Sequence, residues 1–183
     1  GLPVASLVKY FNRNGLEGAV LQMLNHGVTT GALFICVGFL YERLHTRELD
    51  QAAGLGKFMP VFITFFGVFS LSSMAFPGTN SFVGEFLVLA GCVPVLKYLI
   101  IAVVPGVVLA AAYMLRVLQR VAYGGVKNPD HSKLADLDPR EFAIVTPLLL
   151  LVLWIGLNPG PLVTVIRPSV ARVLEIVGAA AGP

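Results

Sequence analysis

Pro77-Gly78-Thr79-Asn80-Ser81-Phe82-Val83-Gly84-Glu85-Phe86 sets a single carboxylate, Glu85, inside a run from Phe58 to Val93 that holds no other charged residue. The run is 36 residues long, whereas a helix needs roughly 20 apolar residues to cross a hydrocarbon core about 30 Å thick. Cutting it at Pro77-Gly78 leaves Asn80 to Val93, 14 residues, or about 21 Å of helix, too short for a second crossing. One broken helix that crosses once fits better. Pro77 removes a backbone donor, Gly78 relaxes the chain, and Thr79, Asn80 or Ser81 can cap the second half. Broken backbone at membrane depth is tolerated only where protein or water satisfies it, and transporters place ion sites at such half-helix ends. A charged side chain at that depth costs about 2.5–3.5 kcal/mol on insertion scales and faces a protein interior or a wet cavity. Glu85 is therefore a functional-site candidate.

Composition supports lipid as the solvent. The 183 residues are 56% hydrophobic and 13% charged, with a mean hydropathy of +0.82, too apolar for a soluble domain whose surface must be wetted. Barrel strands would show segments of about ten residues alternating polar and apolar, and the sequence has none. A net charge of +3 without clustered Lys/Arg excludes a nucleic-acid footprint. Cys36 and Cys92 sit apart in apolar runs, without metal or redox spacing, and read as buried free thiols. Gly1-Leu2-Pro3 opens with neither Met nor a charged leader, so the chain reads as part of a longer one.

The remainder divides into further apolar spans within a single membrane domain, residues 1–183. Residues 1–14 are mildly amphipathic, and Asn12-Arg13-Asn14-Gly15 reads as a polar turn. The first span covers residues 18–41. Its His26, Thr29 and Thr30 fall at helical spacing and are expected on one protein-facing side, with Gly27, Gly31 and Gly38 allowing close helix approach. A charged loop, 42–57, leads to the broken span, 58–93. A turn around Pro94 and Lys97 precedes a third span, 98–121, kinked at Pro105-Gly106, with Arg116 and Arg120 at the membrane edge. After a polar loop, 124–140, the fourth span is 142–157, with a kink at Pro147, and Asn158-Pro159-Gly160-Pro161 stops it. The tail, 162–183, suits an interfacial helix. Arg43, Arg47, Lys57, Arg116, Arg120, Lys127, Lys133 and Arg140 share one side. Lys9, Arg13, Lys97, Arg167 and Arg172 share the other, so the positive-inside rule puts the first group in the cytoplasm.

Three stretches in register carry a resemblance: Leu21-Gln22-Met23-Leu24-Asn25-His26-Gly27, Leu40-Tyr41-Glu42-Arg43-Leu44-His45-Thr46-Arg47, and Pro77 to Phe86. Over about Gly15 to Pro159 the chain resembles the C-terminal part of the chain M group of antiporter-like membrane subunits in proton-pumping NADH:quinone oxidoreductase, respiratory complex I. The resemblance implies an all-α integral membrane protein. This chain would supply the last four helices, one broken near Pro77-Gly78, of a fourteen-helix antiporter-like fold of two inverted repeats. It also implies that Glu85 exchanges protons with one side of the membrane and that His26 lines the polar axis leading to it. The lysines and glutamate of the family's first half-channel lie outside this sequence. The implied cofactors, FMN, iron–sulfur clusters and quinone, belong to other subunits. The implied partners are the other membrane-arm subunits, the lipid bilayer, protons and water. The implied place is a bacterial inner membrane or an equivalent energy-transducing membrane.

Each candidate has a plainer reading beside it. Glu85 would be structural if it paired with a cation. As a proton carrier it is poised between desolvation, which raises a carboxylate's proton affinity, and a nearby cation, which lowers it. His26 would be structural as a neutral core histidine bonded to a carbonyl or to Thr30, whereas an imidazole in a water chain both accepts and donates. Thr29, Thr30, Ser70, Ser72 and Ser73 read first as hydroxyls that satisfy or bridge helices, and His45 and His131 as solvated loop side chains. His26, His45 and Glu85 lack metal-ligand spacing. The chain thus reads as one half-channel of a redox-driven proton translocase, with no bond-making chemistry of its own. The alternatives are the homologous subunit of a cation/proton antiporter or membrane-bound hydrogenase, and a non-transporting structural part of the membrane arm.

Overall fold

A computed structural model describes residues 12–126 and 134–180, except for the side chains at 94–97, 99–100 and 180. The segment 1–11 and loop residues Lys127, His131 and Lys133 lie outside the described residues. The described chain forms helices α1 (Arg13–Leu44), α2 (Pro60–Ser73), α3 (Asn80–Tyr123), α4 (Pro139–Leu157) and α5 (Gly160–Ala180), with one 3-10 turn, Leu55–Lys57. No strand occurs among them.

Helix α1 is longer than its apolar run. The expected polar turn is its first turn: the Asn12 side chain caps it by accepting from Gly15 N at 2.7 Å. At the far end His45 terminates it in the left-handed region at φ 52°. Leu21, Asn25, Thr29, Ala32, Cys36 and Leu40 form its buried stripe, at the three- and four-residue spacing of one helix face. Both cysteines are free thiols, Cys36 buried and Cys92 half-buried.

Residues Asn80 to Tyr123 follow one another in helical conformation, and the turn expected around Pro94 and Lys97 falls inside that range. The chain nevertheless reverses there. Gly91 lies against Gly15 at the start of α1, while Gly54, past the end of α1, donates to Arg120 O at 3.2 Å. Asn80 lies beside Asn25 and Gly91 beside Gly15, so the limb runs antiparallel to α1, and a straight rod would carry Arg120 about 43 Å beyond the start of α1, away from Gly54. Glu85 and Val103 also line one cavity. Helix α3 is therefore two antiparallel limbs, Asn80–Val93 and Ile101–Tyr123, joined within 94–100.

Three helices are long and apolar enough to cross a membrane: Arg13–Leu44, Ile101–Tyr123 and Pro139–Leu157. The shorter Pro60–Ser73 and Asn80–Val93 make the broken crossing. The break begins earlier than Pro77-Gly78. Ala75, left-handed at φ 55°, ends α2 with bonds from Ala75 N to Ser72 O at 3.0 Å and from Phe76 N to Leu71 O at 3.1 Å, the Schellman arrangement of a helix C-terminus. Gly78, at φ 95°, follows.

Small residues seat the helices, but not those expected. Among the described residues, a Cβ on Gly27, Gly31 or Gly38 would meet nothing within 4 Å. The close approach uses Gly15 and Gly18 on α1 against Gly84, Leu87 and Gly91 on α3. Gly156 of α4 performs the same service at the break, where a Cβ would collide with Gly78 O and the Thr79 backbone. Helix α4 thus covers the interrupted backbone, as membrane depth requires.

The loop side is more ordered than its charge suggests. Within 42–57, α1 extends to Leu44, and Ala53 and Leu55 are buried. Arg120, expected at the membrane edge, pairs with Asp50. Helix α4 starts at Pro139, before the expected 142, because Asp138 and Glu141 form a reciprocal capping box. Asp136 accepts from Val61 N at 2.8 Å and Phe62 N at 2.9 Å, capping α2 from a distant part of the chain. Asp136→Ala is expected to destabilise the protein by about 1 kcal/mol, the worth of a cap, and to lower the melting temperature of the detergent-solubilised complex. Helix α5, over the expected tail, falls outside the candidate spans. It is held to α1 by a bond of 3.2 Å from Arg167 Nε to the buried Glu17 carboxylate.

Candidate functional site

The helix break opens onto a buried polar seam between α1, α2 and the first limb of α3. Asn25 and Asn80, fully buried, bond reciprocally: Asn25 Nδ2 donates to Asn80 O at 2.7 Å and Asn80 Nδ2 to Asn25 O at 3.2 Å. The Ser72 hydroxyl donates to Asn80 Oδ1 at 2.6 Å and lies 2.8 Å from Thr29 Oγ1, which reaches the same oxygen at 3.2 Å. Polar side chains from both sides of the break are thereby tied to α1. Thr79 occupies the cap position of α3 but makes no side-chain cap bond. Its hydroxyl donates back to Phe76 O at 2.7 Å.

Glu85 sits just over one turn beyond Asn80 on α3 and is half-buried. Its Oε1 accepts from Gln22 Nε2 of α1 at 3.2 Å. Among the described residues no cation forms an ion pair with it, in contrast to Glu141, Glu17, Asp50 and Glu175. It faces a cavity of about 380 Å³ walled by Val88, Leu89, Val103 and Val107, with Ser73 and Met74 from the end of α2. That volume accommodates several waters, each taking about 30 Å³ in the liquid. A carboxylate without a counter-ion among the described residues, bordering such a space, is equipped to take up and give back a proton.

His26 stands apart from this arrangement. The expected stripe of His26, Thr29 and Thr30 splits: Thr29 is buried, whereas His26 is exposed on the surface of the chain. Its contact is with Thr30 Oγ1, 3.3 Å from Nδ1, the partner that its structural reading names. Gln22, one turn before His26, is the α1 residue that reaches Glu85. Ser72 bridges helices, and Ser73 bonds its own helix at Ser70 O at 2.9 Å. Sequence reading passed over Gln22, and Asn25 as a partner of Asn80. The available signal was the spacing of Leu21, Asn25 and Thr29, which puts an amide in the middle of a packing stripe.

Residues 4–110 match the NADH:quinone oxidoreductase/Mrp antiporter transmembrane family. The chain is 40% identical over 90% of its length to NADH-quinone oxidoreductase subunit M of Rhodobacter capsulatus, of which it covers 32%. It is 39% identical over 91% of its length to NADH-ubiquinone oxidoreductase chain 4 of Chondrus crispus, covering 34% of that protein. It superimposes on a chain of respiratory complex I from Thermus thermophilus with a TM-score of 0.84 at 27% identity, over 95% of this chain and 37% of that one. The chain thus spans about a third of the length of these relatives. With its broken helix and apolar spans, it belongs to the NADH:quinone oxidoreductase/Mrp antiporter transmembrane family.

Proposed function

We propose that this chain supplies a proton half-channel of an NADH:quinone oxidoreductase, with Glu85 as the group that loads and releases the proton. The observation that carries this reading is a half-buried carboxylate, free of any ion-pair partner among the described residues, facing a cavity beside a helix break. Charges elsewhere in the complex would retune its proton affinity from a distance, because charge interactions are screened less inside a protein than in bulk water. The redox groups, FMN, iron–sulfur clusters and quinone, would belong to other subunits, and the chain would work in an energy-transducing membrane such as the bacterial inner membrane. Relatives at 39–40% identity carry oxidoreductase names, which favours this reading over a cation/proton antiporter. The test is Glu85→Gln in the assembled complex, with proton uptake measured per NADH oxidised. Unchanged uptake overturns it.

His26 enters the proposal as a relay between the cavity and the remainder of the complex. Because its side chain is exposed on this chain and, among the described residues, bonds within its own helix, His26→Ala is expected to leave the amount of assembled complex unchanged and to slow proton uptake several-fold. Normal specific uptake in the variant would remove His26 from the path.

A further inference from the structure

We infer that Gln22 is the positioning residue of the Glu85 carboxylate, and that Gly84 provides the space in which its amide works. The inference rests on the reading of Glu85 as a proton carrier and names what holds that carboxylate.

The geometry around Gly84 carries it. A Cβ at that position would collide with Gln22 Oε1, come within 3.0 Å of Gln22 Cβ and lie 3.1 Å from Asn25 Nδ2. Two amides of α1 therefore lie side by side across the bare backbone of α3, one turned to Glu85 and the other to Asn80. The glycine immediately before the carboxylate is where the helix surface must be flat. The acid is in this way continuous with the seam of Asn25, Asn80, Ser72 and Thr29.

The amide is also half-used. Gln22 Nε2 donates to Glu85 at 3.2 Å, but Gln22 Oε1 is buried without a hydrogen-bond partner among the described residues. An unmade bond at a buried acceptor costs about 1–3 kcal/mol, so an apolar side chain would serve simple packing better. A carboxamide, however, offers a donor at one end and an acceptor at the other. Turned one way, its NH2 group donates to the ionised carboxylate. Turned by half a rotation, its carbonyl accepts the O–H of the protonated acid. Gln22 thus suits both proton states without gaining or losing a proton itself. Among the described residues, the others lining the cavity, drawn from the end of α2 and both limbs of α3, carry no titratable group. Gln22 is therefore the polar contact that sets the acid's orientation and proton affinity locally.

The experiment follows the carboxyl infrared band of Glu85 in the assembled complex, assigned by its loss in Glu85→Gln, while pH is varied. Of the two bonds Gln22 can make, the one to the ionised carboxylate is the stronger, so its loss in Gln22→Leu is expected to move the midpoint of that band upward by about one pH unit. Gln22→Asn, one methylene shorter, and Gly84→Ala, whose methyl displaces the amide, are expected to move it the same way. They replace Gln22→Leu as the reading if that variant does not assemble. A wild-type midpoint in the assembled variants overturns the inference, even if their yield is reduced. Wild-type proton uptake in Glu85→Gln overturns the half-channel reading and this inference together. Uptake lost in Glu85→Gln with an unmoved midpoint in the Gln22 and Gly84 variants overturns this inference alone.

Discussion

Exchanging Glu85 for glutamine is expected to slow the proton flux carried by this chain by about a hundredfold, the lower end of what a positioned proton-transfer group contributes. Glutamine has nearly the volume of glutamate and still accepts a bond from Gln22, so the helix break and its seam stay in place. What it lacks is the ability to bind and release a proton. Glu85→Asp keeps that ability but withdraws the carboxyl by one methylene from Gln22, which donates to it at 3.2 Å, and is expected to retain part of the flux. Acidification of complex-containing vesicles on NADH addition reads both. The order wild type, Glu85→Asp, Glu85→Gln supports a titrating role, and equal flux in all three opposes it.

The largest effect on stability is expected at Arg43. Its five N–H donors are all engaged: two on the Glu141 carboxylate at 2.6 and 2.5 Å, and one each on Phe39 O, Ala135 O and Asp136 O at 3.1, 3.0 and 3.1 Å. The Arg43 and Glu141 side chains are 15% and 9% exposed, so removing either strands a largely desolvated charge. Breaking a buried pair in this way costs about 3–5 kcal/mol, against a total stability of about 5–15 kcal/mol for a typical domain. Arg43→Ala is expected to cost about 3 kcal/mol, the low end because some water reaches the pair, and to deplete the chain from the membrane. Arg43→Lys keeps the charge but lacks the planar fork needed for two carboxylate oxygens and three carbonyls, and is expected to recover only part of the loss. Melting of the solubilised complex measures both. A wild-type melting temperature in Arg43→Ala would show the pair to be ornamental.

What was legible in the sequence follows from physical range. Apolar length and Pro77-Gly78 announced spans and a break, because both are local properties of the chain. The same local logic missed where the break begins, since Ala75 adopts a left-handed conformation that a side chain with a Cβ disfavours. It also passed over the glycines that pack helices within this chain. Gly27, Gly31 and Gly38 have helical spacing but face open space, whereas Gly18 and Gly84 meet only because two helices run antiparallel. Arg43 counted as one loop charge among eight, because its partner Glu141 stands 98 residues away. Glu85 was legible as an isolated carboxylate in a charge-free run, but Gln22 was not, being 63 residues distant and unremarkable in its own helix. His26 was expected with Thr29 on one inward face. The strong burial of Leu21, Asn25 and Thr29 turns the helix so that His26 faces outward.

Infrared difference spectra of the assembled complex during NADH-driven turnover test the proton-carrying role of Glu85 most directly. The half-channel reading predicts a carboxyl band that rises and falls with turnover, disappears in Glu85→Gln and persists, displaced, in Glu85→Asp. Turnover spectra of Glu85→Gln identical to wild type would contradict it, because the carboxylate at the break would then hold one proton state throughout.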